Sequence, residues 1–167
     1  EMERYFGALV VAETKMRDYT QRLATAQGKF AKDNGLTYAP SANLKQFDHI
    51  LDANIYTHEV HYEYLTVARH NEIWWDYMQK GDVAAMEKVC EDIAIAAAAC
   101  KLGAMPGFDG STELRDIAKS RVTFYLGLSK KEYHEIALIL GNPATGEPEI
   151  NRLNEIIDSY DQYNQDQ

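Results

Sequence analysis

Two histidines one helical turn apart, His58 and His61, are the residues of this sequence best suited to chemistry. At i and i+3 they can both point to one side of a helix, which would suit a zinc ion or one axial ligand of a haem. The run His58-Glu59-Val60-His61 falls one residue short of the zinc-protease pattern, which needs its histidines at i and i+4 around a glutamate. A carboxylate di-iron bundle needs Glu-x-x-His on two helices, and no histidine here has a glutamate three residues before it. A zinc site would therefore have to add Glu135 or His134 to His58 and His61, and a noncovalent haem would pair His61 with Met16. Covalent haem is excluded because Cys-x-x-Cys-His is absent.

A structural role competes with each of these. Phe47, Asn54, His61, Ala68 and Trp75 recur every seven residues, so Asn54 and His61 are expected on a core-facing seam as a buried polar pair. Buried polar groups need hydrogen-bond partners, and Tyr5 or Tyr19 would supply them while fixing helix register. The two cysteines, Cys90 and Cys100, lie about 15 Å apart along one predicted helix, beyond disulfide reach, and are expected as buried thiols. Phosphate-binding glycine loops and the Gly-x-Ser-x-Gly nucleophile turn are absent.

The positioning elements are helices. Tyr5, Leu9, Ala12, Met16, Tyr19, Leu23, Ala26 and Phe30 alternate steps of four and three, which predicts an amphipathic helix over about 2 to 32 with this row against the core. Asn34-Gly35 ends it. After Pro40, Ser41 is the expected N-cap of a second helix to about residue 79, stopped by Gly81. Asp82 caps a third, whose small seam of Val83, Met86, Cys90, Ile93, Ala97, Cys100 and Ala104 suits a close-packed position. A turn at Met105 to Gly110 precedes a fourth helix over about 111 to 128. Ser129-Lys130-Lys131-Glu132 matches a capping box for a short fifth helix, and Pro148 opens the sixth, beyond which Asp161 to Gln167 should fray. Short loops between long helices predict one domain over 1–167, an elongated antiparallel up-and-down bundle of about six helices with the two longest at the N-terminus.

Charge and length narrow the partners. A net charge of -9 without a Lys/Arg run disfavours nucleic acid and anionic membrane surfaces. The apolar run Ile93 to Cys100 is far shorter than the roughly 20 residues of a membrane span. The second helix carries a second apolar row, Tyr56, Val60, Val67, Trp74 and Met78, about 100° from its seam. This row either completes the core or serves as a partner face, for instance in a homodimer. The 11 tyrosines resemble the composition of small exported helical proteins and lipoproteins, a likeness that carries over to no individual position. The sequence points to a non-enzymatic helical binding or interaction module, periplasmic or surface-exposed if exported and otherwise cytoplasmic. A metal- or haem-binding bundle at His58 and His61 is the alternative.

Overall fold

The computed structural model describes residues 1–40 and 42–165, with the side chains of Met2, Glu3, Asn43, Asn164 and Gln165 left aside. The chain is an all-α helical bundle, with no strand among the described residues. Its helices are α1 (Met2–Asp33), α2 (Ala42–Lys80), α3 (Val83–Ala99), α4 (Glu113–Lys130), α5 (Glu132–Gly141) and α6 (Glu147–Gln165). None of them is long and apolar enough to cross a membrane.

The expected stops hold. Gly35 takes a φ of +68° while Leu36 N–H closes on Ala31 O at 2.8 Å, and Gly81 takes +67° while Asp82 N–H closes on Tyr77 O at 3.1 Å. Only glycine adopts these left-handed turns without a Cβ penalty. Asp82 then caps α3 by accepting from Ala85 N–H at 3.1 Å. The Ser41 cap lies outside the described residues.

Three boundaries differ from expectation. α3 ends at Ala99, because Cys100 is extended (ψ 128°) and the chain turns away to bury Leu102 at 1% exposure. Cys100 is accordingly half-buried rather than buried. The capping box does not form, because α4 runs on to Lys130 and Ser129 Oγ donates back to Leu126 O at 3.0 Å, leaving Lys131 as the α5 cap. The C-terminal segment continues as helix to Gln165 instead of fraying from Asp161.

Where the sequence suggests one core, the residues gather into two compact units, Glu1–Leu65 with Leu102–Ala118, and Thr66–Lys101 with Lys119–Gln167. In the second unit α3 packs on α5 and α5 on α6. Gly141 of α5 faces Val83 of α3, where a Cβ would sit in ordinary contact at 3.7 Å. At the centre, Trp74 stacks on Tyr133 with ring centroids 3.8 Å apart and planes at 11°, both nearly fully buried. The phenol of Tyr133 donates to Asn71 Oδ1, and Asn71 Nδ2 donates to Tyr160 Oη at 3.1 Å. Asn71 is thus a buried amide with both ends satisfied, joining α2, α5 and α6. Burial pushes the Tyr133 phenol well above its ordinary range and the Cys90 thiol up to about 11. Cys90 is a core thiol whose burial disfavours the thiolate.

The second apolar row of α2 runs through the interior of both units, Tyr56 and Val60 in the first and Val67, Trp74 and Met78 in the second. Val60, Val67 and Trp74 are completely buried, and Tyr56 and Met78 are half-buried, so this row is not the partner face. Removing the Trp74 indole takes away the stacking partner of Tyr133 and leaves a large cavity. We expect Trp74→Ala to lose about 3–5 kcal/mol of stability in urea unfolding. An unchanged urea midpoint would return Trp74 to the surface.

Candidate interaction surface

In the first unit α1 and the first half of α2 run antiparallel, held by side chains in sequence register. Arg17 Nη1 donates to Asp52 Oδ1 at 3.0 Å, and the His58 Nδ1–H donates to Glu13 Oε2 at 2.8 Å. The Phe6 ring lies 5.2 Å from that of His61, and Gly7 lies flush against the ring of Tyr62. The other side of α2 is covered by the Leu102–Ala118 segment. Phe108 stacks on Tyr56 at 5.6 Å and on His49 at 5.5 Å, and His49 Nε2 lies 3.1 Å from Asp109 Oδ2. A tight turn presents Phe108: Asp109 and Gly110 both have positive φ, 50° and 80°, while Phe108 and Ser111 exchange two 2.9 Å hydrogen bonds.

These contacts decide which face of α1 looks inward. Glu13, Arg17, Thr20, Ala24, Gly28 and Ala31 are half-buried or buried, whereas the apolar row predicted for the core is largely in solvent. Tyr5 is 61% exposed, Met16 49%, Tyr19 70%, Leu23 45% and Phe30 64%; Leu9 alone of the row is half-buried. The row was read correctly as one face, and its neighbour was not. Sequence periodicity reports that a face is apolar but not which element covers it.

The seam of α2 behaves the same way in this unit. Phe47 is 40% exposed, Ile50 49%, and Asn54 is exposed rather than buried, while Ala68 further along is buried. By the antiparallel register Tyr19 stands level with Ile50, Leu23 with Phe47, Met16 with Asn54 and Leu9 with His61. Glu13 and His58 lie at the edge of the α1–α2 contact nearer these residues, and Arg17 and Asp52 at the far edge. At 100° per residue both exposed rows then fall on one side of the hairpin, forming a two-column apolar face. Ile50 belongs to this face and the heptad reading of α2 missed it; its signal is its level beside Tyr19, which requires the pairing to be known. At the turn end, Phe30, Ala31, Leu36 and Tyr38 line a shallow hollow, with Tyr38 Oη donating to Gln27 Oε1 at 3.0 Å.

The chemical readings of the histidines fare differently. Neither Tyr5 nor Tyr19 bonds to His61, whose Nδ1 is buried with no hydrogen-bond partner among the described residues. Burial, and then the neighbouring His58, hold His61 below its ordinary value of 6.5. His58 is engaged by Glu13. Of the proposed third zinc ligands, Glu135 accepts from Arg152 at 2.8 and 3.2 Å, which holds its carboxyl below the usual range, and His134 lies 3.6 Å from Glu87. Among the described residues no three His, Cys, Asp or Glu side chains are grouped to hold a metal. Met16 stands level with Asn54, about 10 Å along the hairpin from His61, so the two do not face each other as axial haem ligands.

Compared with known protein families, curated proteins and solved structures, the chain matches none.

The His61 environment makes a pH prediction. Because its folded-state value is depressed, the unfolded chain takes up the proton first, and stability present above pH 6.5 is lost as the pH falls through and below that value. The urea midpoint is therefore expected to drop between about pH 7.5 and about pH 5.5, and to drop less in His61→Leu. An equal drop in both proteins would assign the acid sensitivity to other groups.

Proposed function

We propose that this chain is a non-enzymatic helical interaction module and that the apolar face of the α1/α2 hairpin is its docking surface. One observation carries the reading: α1 turns a row of polar and small residues inward, Glu13, Arg17, Thr20, Ala24, Gly28 and Ala31, and leaves a regular apolar row outward. Exposed apolar side chains are ordinary when scattered, but a contiguous patch of several hundred Å² marks an interaction site. This row is contiguous over seven helical turns and is continued sideways by Phe47 and Ile50. Its residue types fit the role, since large aromatic and flexible apolar side chains dominate binding hot spots.

The other features support a scaffold rather than a catalyst. In the second unit Asn71 bonds to both Tyr133 and Tyr160, which ties α2, α5 and α6 together. The ion pairs of the first unit, Arg17 with Asp52 and His58 with Glu13, link α1 to α2 in the observed rotation.

A photo-reactive phenylalanine analogue at position 19 tests the reading in cells, with the same analogue at Thr25 as control, because Thr25 is exposed on the opposite side of α1. The expected result is a discrete macromolecular adduct from position 19 and none from position 25. No adduct from position 19, or the same adducts from both positions, would contradict it.

A further inference from the structure

We infer that a second copy of this chain occupies the hairpin face, giving a two-fold symmetric four-helix arrangement in which the two α1 helices run parallel. The inference rests on the reading of that face as a docking surface and names its partner.

The pattern on α1 is a strict heptad. Leu9, Met16, Leu23 and Phe30 fall on one core position and Tyr5, Ala12, Tyr19 and Ala26 on the other, with no break over the row. Such a row is built to meet other helices along its length, not a compact ligand. The size fits a self-complementary pair. From Tyr5 to Phe30 the face is about 38 Å long, and two helices with axes about 10 Å apart make it roughly 18 Å wide. That outline is roughly 700 Å² per copy with the polar Asn54 included, against the roughly 800 Å² that each partner contributes to a standard stable interface.

Charge selects the orientation. Lys15, Arg22 and Lys29 recur every seven residues along the outer edge of the α1 row and are all exposed. Stacking α1 on an antiparallel α1 of the second copy would bring the two basic edges together. Rotation about an axis parallel to the helices instead lays each α1 over the α2 of the second copy. The matching edge of α2, Gln46, Ala53 and Thr57, is uncharged. The second arrangement carries no like-charge penalty, and like charges opposed across helices are destabilising.

Sedimentation equilibrium of the full chain between about 1 µM and about 100 µM is the test. The expected species has twice the chain mass of 19.0 kDa, about 38 kDa. Leu23→Glu and Tyr19→Glu, both at exposed positions, should keep their helical circular dichroism and weaken association by on the order of 100-fold. Gln46→Glu places an acid beside the basic edge of the partner helix and should tighten association about two- to five-fold at low salt. Unchanged association in Gln46→Glu would overturn the parallel orientation.

A monomer throughout the range would overturn the second copy, and hydroxyl-radical footprinting of that monomer then separates the two levels. If Tyr19 and Leu23 are modified freely, the face is open and only its occupant was misassigned. If they are protected, another part of the same chain covers them and the docking surface itself is overturned.

Discussion

A helix can turn only one face toward a given neighbour, and the whole first unit follows from the face that α1 turns toward α2. Two polar links, Arg17 to Asp52 and Glu13 to His58, and the small residues Ala24, Gly28 and Ala31 lie on the inward side. The alternative rotation would bury Tyr19, Leu23 and Phe30 against α2. By ordinary scales each partly exposed ion pair contributes about 0.2–1 kcal/mol, while burying a large apolar side chain contributes about 1.5–3 kcal/mol. The observed rotation is therefore not the one that local pair energies favour, unless the outward row has a further partner. About half of the surface of Tyr5, Met16, Tyr19, Leu23 and Phe30 remains available. Covering it would recover on the order of 5 kcal/mol.

The second unit of the same chain places its apolar bulk inside. There the large aromatic side chains are inside, Trp74 against Tyr133, and the one buried amide has a partner at each end. α2 takes part in both units, and the heptad row through Phe47, Asn54, His61, Ala68 and Trp75 changes role along it. It is exposed at Phe47 and Asn54, half-buried at His61 and Trp75 and buried at Ala68. A single sequence periodicity thus runs through an exposed face in one half of the helix and the interior in the other.

This double use explains what could and could not be read from the sequence. Helix identity, the two long N-terminal helices and the stops at Gly35 and Gly81 were legible, because they depend on local pattern and on backbone conformations few residues adopt. The capping box at Ser129 was misleading, since its residues are equally good at continuing α4 when Leu128 and Ser129 are buried. The row of Tyr56, Val60, Val67, Trp74 and Met78 was legible as apolar, but its place in the core depends on Phe108 and Tyr133, far away in sequence. The apolar row of α1 was legible residue by residue but its exposure was not, because an apolar heptad row carries no mark of which element covers it. Ile50 became meaningful only through its level beside Tyr19.

The rotation of α1 is the point on which all of this turns, and a nitroxide scan measures it directly. Spin labels placed singly from Met16 to Phe30, in a variant with Cys90 and Cys100 replaced by alanine and at dilution where chains are separate, report accessibility to a paramagnetic relaxant. Minima are expected at Thr20, Ala24 and Gly28, with Tyr19, Leu23, Ala26 and Phe30 accessible. The inverted phase, with Tyr19 and Leu23 protected and Thr20 and Ala24 accessible, would contradict this rotation.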